Sequence, residues 1–282
     1  MNKFYTDEKQ IIDWLKKHEI KNYILVPDEK YGFVVNVNGD VDLSDKSLIN
    51  ITVKFSEVTG SFNCSDNKLI SLEFSPQAVG GSFNCNNNKL KSLKFCPQTV
   101  SVNFSCSVNQ LTSLEFSPQT VGGSFDCNTN KLVSLEFSPQ IVRGFYCGNN
   151  QLTSLEFCPQ TVDGSFYCDS NKLTSLEFSP QVINGSFNCS SNKLSSLEFS
   201  PQTVGSHFYC YSNKLTSLEF CPQTVGKNFF CSNNPELKEI KKMTDFKLIY
   251  LEHKKILISK LSDKLENDLI NKIPRKITKI KI

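Results

Sequence analysis

A unit of about 21 residues recurs nine times between Phe62 and Asn234. One copy reads Gly81-Ser-Phe-Asn-Cys-Asn-Asn-Asn-Lys-Leu-Lys-Ser-Leu-Lys-Phe-Cys-Pro-Gln-Thr-Val100. A cysteine marks the same place in each copy: Cys64, Cys85, Cys106, Cys127, Cys147, Cys168, Cys189, Cys210 and Cys231. Every step between them is 21 residues except the 20 from Cys127 to Cys147. A unit this short cannot bury its own apolar face, so successive copies must stack. The pattern predicts one elongated solenoid rather than two compact domains.

Within a copy, Phe83-Asn84-Cys85 alternates as a short strand, with Phe83 and Cys85 on one face and Asn84 on the other. Three residues past the cysteine stands an asparagine in all nine copies: Asn67, Asn88, Asn109, Asn130, Asn150, Asn171, Asn192, Asn213 and Asn234. An amide both donates and accepts, so a stacked asparagine ladder suits a buried turn whose backbone groups need partners. Leu90 and Leu93 are expected to point inward, with Phe95 closing the core. Pro97 prevents a regular helix on the return side, and Val100 brings the chain back toward the next strand.

The match of Phe83, Cys85, Asn88 and Leu90 to Leu-x-x-Leu-x-Leu-x-x-Asn-x-Leu resembles the leucine-rich-repeat family. The return segment Leu114-Glu-Phe-Ser-Pro118-Gln-Thr-Val121 is similar to the short Pro-containing type of bacterial effectors, and similar Cys- and Asn-rich copies occur in phages and large DNA viruses. The resemblance implies an α/β-type repeat solenoid, mostly β and irregular coil. It would form an arc of about nine to ten coils, with a parallel β-sheet on its concave face and a cap at each end. One departure from the family spacing is that valine precedes the cysteine by six residues, not five, beside glycine pairs such as Gly122-Gly123. A small bulge entering each strand is expected there. In the 20-residue copy the spacing returns to five, with Val142 before Cys147.

The array is expected over 41–240, with Val41 to Ile51 as a degenerate first coil. Residues 1–40 read as an N-terminal cap. Its helix would run from Thr6 to Glu19, with Thr6 as N-cap and Ile11, Ile12, Trp14 and Leu15 as the apolar stripe. A hairpin of Tyr23 to Val26 and Phe33 to Val37 would follow it. Residues 241–282 read as a lysine-rich, helical C-terminal cap.

Parallel stacking puts equivalent cysteines on adjacent strands about 4.8 Å apart, in a geometry unlike that of a disulfide. They therefore read as small buried apolar residues in a reducing compartment. Cys96, Cys158 and Cys221 occupy a position that is serine in other copies (Ser75, Ser117, Ser138, Ser179 and Ser200), which points to a small semi-buried site rather than a ligand. No apolar run reaches 18 residues, so no membrane insertion is expected. The start lacks the apolar region of a secretory signal. Together these suggest a cytoplasmic protein, in a host cytoplasm if it is viral or an effector.

Function is sought on the outward positions of the strands. The residue before each cysteine runs Asn63, Asn84, Ser105, Asp126, Tyr146, Tyr167, Asn188, Tyr209, Phe230, and the residue after it includes Asp169 and Tyr211. The face turns from small and polar to aromatic, and exposed aromatics favour interaction hot spots. Tyr146, Tyr167, Asp169, His207, Tyr209, Tyr211 and Phe230 form the candidate binding surface for a protein or peptide. The alternative is that the rings stack only to stabilise the strand ladder.

Glu73, Glu115, Glu136, Glu156, Glu177, Glu198 and Glu219 form a ladder of charge, and Lys68, Lys89, Lys131, Lys172, Lys193 and Lys214 another. Both suit a solvated surface; self-association of arrays is the sharper reading, and a self-assembling, particle-associated rod is the alternative function. The basic stretch 271–282 reads either as a lysine-protected edge strand or as an arm for an anionic surface. With only Arg143 and Arg275, specific nucleic-acid reading is not expected. His18, His207 and His253 lie far from other ligands, and there is no CxxC pair, P-loop, dinucleotide fingerprint or nucleophile elbow. No cofactor, metal or catalysis is expected. The catalytic-cysteine activity of some similar effectors is not expected either, because no cysteine follows Cys231.

Overall fold

The computed structural model of the protein describes residues 4–235, together with 237, 255, 258–259 and 261–265. The expected C-terminal cap, 241–282, falls largely outside these residues, and its basic stretch 271–282 wholly so.

The chain begins with helix α1, Glu8–Lys17. Its N-cap is Asp7, one residue beyond the expected Thr6; the Asp7 carboxylate accepts from the Gln10 N–H at 3.0 Å. Glu8 in the first turn and Lys16 and Lys17 in the last complement the helix dipole. Ile11, Trp14 and Leu15 are buried, and Trp14 meets Phe55 edge-on at 6.2 Å. Strands β1 (Tyr23–Asp28) and β2 (Gly32–Val37) form an antiparallel hairpin. β2 then runs parallel to Phe55–Val58, which attaches the hairpin to the solenoid.

Two parallel ladders run along the array. The first is a ten-stranded sheet from Val41–Asp42 to Phe229–Phe230, in which each strand pairs only with its neighbours in the array. Its register is like on like: Phe62 opposite Phe83, Phe83 opposite Phe104, and on to Phe208 opposite Phe229. Like-on-like register builds a column of phenylalanines inside the coil. Phe62, Phe83, Phe104, Phe125, Phe145, Phe166, Phe187, Phe208 and Phe229 are fully buried, with neighbouring ring centroids 5.1–5.8 Å apart. The cysteines and both leucines of each copy, such as Leu90 and Leu93, complete this core.

The second ladder is made by the two-residue strands, mostly Thr-Val, that precede the phenylalanines. Thr99–Val100 pairs in parallel with Thr120–Val121, for instance. The expected bulge is instead a corner: Gly122-Gly123-Ser124 turns the chain from one ladder into the other, and the strands on either side pair without register shift. A glycine is needed at such a corner because a Cβ on Gly122 would lie 2.2 Å from the Ser101 carbonyl oxygen of the preceding coil. In the 20-residue copy the corner is one residue shorter. There the second ladder stops after Thr120–Val121 and resumes as two separate pieces, of two and three strands. The ten-stranded sheet passes through unbroken.

Phe95 and its equivalents, apart from the buried Phe74, do not close the core. In each copy Leu, Glu (Lys94 in one copy), Phe and the following Ser or Cys form a tight turn; the Ser117 N–H donates to the Leu114 carbonyl at 2.9 Å. The phenylalanine takes the third turn position with φ between 64° and 75°. This is type II turn geometry, where glycine or asparagine is the usual choice. The left-handed residue breaks the alternation that would have turned the ring inward. Phe95, Phe116, Phe137, Phe157, Phe178, Phe199 and Phe220 instead stand 44–54 % exposed in a row along the outside. Because L-residues in this region carry a penalty of about 1 kcal/mol or more, Phe178→Gly is expected to be more stable than Phe178→Ala by about 1 kcal/mol. Denaturant midpoints of the two variants measure this, and the reverse order would show that the turn holds no such strain.

Candidate functional site

The platform for the candidate site is the outward face of the ten-stranded sheet, and its rigidity comes from buried side-chain ladders beneath it. Asn88 is typical. Its amide nitrogen donates to the Cys64, Cys85 and Asn86 carbonyls at 3.0, 3.1 and 3.1 Å, and its oxygen accepts from the Leu69 N–H at 2.9 Å. The same bonding repeats from Asn67 to Asn234 and ties each coil to the one before. The Ser/Cys position that follows the outer phenylalanine makes a second ladder. Ser75 Oγ donates to the Phe95 carbonyl at 2.8 Å, and Cys96 Sγ to the Phe116 carbonyl at 3.0 Å. Serine and cysteine interchange there because each is a small donor.

All twelve cysteines are free, and all but Cys221 are buried. Burial pushes the Cys64, Cys96 and Cys158 thiols up to about 12. Protonated thiols of this kind are poor nucleophiles and poor metal ligands. Several donate weakly to the next coil, as Cys189 Sγ does to the Tyr209 carbonyl at 3.3 Å. Among the described residues, no group of His, Cys, Asp or Glu side chains is placed to hold a metal ion. No helix among them is long and apolar enough to cross a membrane.

The aromatic residues on this face fall into two groups. Tyr146 and Tyr167 are strand partners whose rings meet edge-on at 5.3 Å. Two coils further, Tyr209 and Phe230 stack face to face at 4.8 Å, with interplanar angle 4°. Tyr211 meets Tyr209 edge-on at 6.4 Å, and His207 lies 5.7 and 5.9 Å from Tyr209 and Phe230. All six side chains are partly exposed. Between the groups, the strand of Phe187–Asn188 carries no aromatic ring on this face, with Asn188 and Ser190 at the positions that hold Tyr209 and Tyr211 in the next coil. Burial, then the neighbouring Tyr167 and Tyr211 hydroxyls, raise the Tyr209 pKa, which keeps the phenol a hydrogen-bond donor.

His207 also belongs to the corner, where its Nδ1 accepts from the Asn228 N–H at 3.3 Å. Asp169 lies two residues past Tyr167 on the same coil. Its carboxylate lies over Gly148, where an added Cβ would come 2.9 Å from Oδ1. Burial raises the pKa of Asp169, as it does that of Asp126. A half-buried carboxylate there favours hydrogen-bond donors or cations approaching from the solvent side.

The sequence reading missed the outer row of phenylalanines. The only signal was negative: Leu-Glu-Phe-Ser carries neither glycine nor asparagine, so nothing in it marks a left-handed turn.

With this geometry in place, the solenoid is similar to the structure of YopM from Yersinia enterocolitica WA-314, with a TM-score of 0.51 and 18 % sequence identity. The likeness covers 69 % of this chain and 47 % of YopM, so the chain spans about half of that protein's length. At this identity it is a likeness of fold, and the fold is a leucine-rich-repeat arc. No protein-family profile and no curated protein matches the chain.

Proposed function

We propose that the protein is a non-catalytic interaction module that holds a protein or peptide against the aromatic half of its sheet face. The observation that carries this reading is the pair of ring groups, Tyr146 with Tyr167 and Tyr209 with Phe230, on either side of the Asn188 strand. Ordered rings that bring much area and few rotatable bonds are the usual anchors of an interface. The arc fold supports a role in presenting a surface, and the buried, protonated thiols argue against cysteine chemistry and suit a reducing cytoplasm. In this reading the repeats are of the short Pro-containing type, with the sheet on the concave side.

Ring stacking within the sheet also stabilises it, by about 0.5–1.5 kcal/mol per pair, so the test must separate binding from stability. Affinity capture from cytosol, with the wild type and the double variant Tyr209→Ser, Phe230→Ser, is expected to retain a partner on the wild type only. The melting temperature should fall by about 2–4 °C, as loss of one stacked pair would produce. If both baits retain the same proteins and the melting temperature falls much further, the rings serve the ladder and the reading fails.

A further inference from the structure

The 20-residue step does more than shorten a corner. In the regular copies the return strands are bonded coil to coil. The Gln119 N–H donates to the Gln98 carbonyl at 3.1 Å, and the Gly122 N–H to the Val100 carbonyl at 3.0 Å. At the short step this ladder parts, and Thr120–Val121 and Ile141–Val142 belong to different sheets. The coils rejoin on either side of the gap. At one end the Ser117 hydroxyl donates to the Phe137 carbonyl at 2.5 Å, and at the other the Arg143 N–H donates to the Gly123 carbonyl at 2.9 Å. The seam is therefore a slot closed at both ends, and a groove of about 920 Å³ lies over it. That volume suits a small molecule or a few residues of peptide.

The groove has an apolar wall and one cation. Phe116 and Phe137, adjacent members of the outer row, line it together with Val121 and Ile141. Ile141 is 73 % exposed at a place that holds threonine in most copies. Arg143, at the closed corner, is the one arginine among the described residues, and its side chain is exposed. Asp163, the one acid lining the groove, is bonded to the Asn184 amide at 2.9 Å instead. A free guanidinium presents a planar fork of donors that matches a carboxylate in two bonds at once.

We propose that this groove binds the C-terminal end of an extended peptide, its carboxylate on Arg143 and an apolar side chain of its last two residues against Phe116 and Phe137. The charge selects an anion, and the rings select an apolar neighbour for it. The closed corner selects a chain end over an internal acidic residue, because a chain continuing past Arg143 would have to cross the bonded turn. The second seam, between Thr161–Val162 and Val182–Ile183, shows what is particular to the first. Its groove is only about 390 Å³ and is bordered by Asp163 and Asn184, with no cation. The site is separate from the ring groups on the sheet face, so neither reading depends on the other.

The test measures fluorescence anisotropy of the full chain with pools of fluorescein-labelled hexapeptides whose last two positions are Leu, Ile, Val or Phe. One pool ends in a free carboxylate, a second is amidated, and a third is amidated with Asp added at the end. The free-acid pool is expected to bind, and the amidated pool to bind about tenfold more weakly, as loss of a charge-assisted pair implies. Arg143→Gln should weaken the free-acid pool by a similar factor with the melting temperature unchanged, since the side chain is exposed. The Tyr209→Ser, Phe230→Ser variant should bind that pool as the wild type does. Equal binding of acid and amide, unchanged binding by Arg143→Gln, or no binding of any pool at millimolar peptide would overturn the proposal. Equal binding of the Asp-ended pool would overturn the choice of a chain end.

Discussion

Phe145→Ala is expected to destabilise the array by about 3–5 kcal/mol, the usual cost of truncating a fully buried phenylalanine. Phe145 sits between Phe125 at 5.8 Å and Phe166 at 5.5 Å, so the truncation opens a void and removes a ring contact on each side. Nearest-neighbour coupling dominates a stacked array, so the defect falls on both flanking interfaces and a single unfolding transition should broaden or split. The informative comparison is Phe157→Ala in the same coil. That ring is 49 % exposed, and its loss should cost less than half as much. Denaturant unfolding measures both, and equal losses would contradict the assignment of inner and outer rows.

Asn171→Ala is the second large effect. Its amide nitrogen donates to the Cys147, Cys168 and Asp169 carbonyls at 3.0, 3.2 and 3.1 Å, and its oxygen accepts from the Leu152 N–H at 3.0 Å. Alanine strands these groups in the interior at about 1–3 kcal/mol for each one left unpaired, and a loss of about 3 kcal/mol or more is expected. Asn171→Asp discriminates further. Its carboxylate would face three carbonyl oxygens, which holds the folded pKa above the unfolded one. The folded state then binds more protons, so stability is lowest at neutral pH and recovers as pH falls through the folded pKa. Thermal melts of both variants between pH 7 and 4 test this. If the Asp variant does not gain on the Ala variant toward acid, position 171 does not face the carbonyls as described.

Much of the fold was legible because a repeat constrains itself. The constant cysteine step requires parallel stacking, and parallel stacking turns each recurring position into a column. Asn88 and its equivalents declared a buried turn by their place three residues past the cysteine, and the aromatic change along the sheet face followed from Tyr146, Tyr167, Tyr209 and Phe230 occupying one column. Three features were not legible. The Thr99–Val100 pair looked like the entry to a strand, but its hydrogen bonds form a separate ladder, a matter of partners rather than of pattern. Phe95 looked like core because alternation assumes a uniform backbone, and one left-handed residue reverses it. The division of the candidate site into two ring groups depends on ring orientations, such as the stacking of Tyr209 on Phe230, which residue identity alone leaves open.

The unequal continuity of the two ladders has a mechanical consequence. One wall of the solenoid is hydrogen-bonded along its whole length, while the other is divided after Thr120–Val121 and again after Thr161–Val162. A rod built this way has direction-dependent stiffness. Under load it yields first where the divided wall can part, with the continuous wall acting as the spine about which it bends. The coils that hold Tyr146 and Tyr167 lie between the two divisions, and those of Tyr209 and Phe230 beyond the second. Bending at these seams would therefore alter the spacing of the two ring groups as near-rigid blocks while leaving each group's internal packing unchanged.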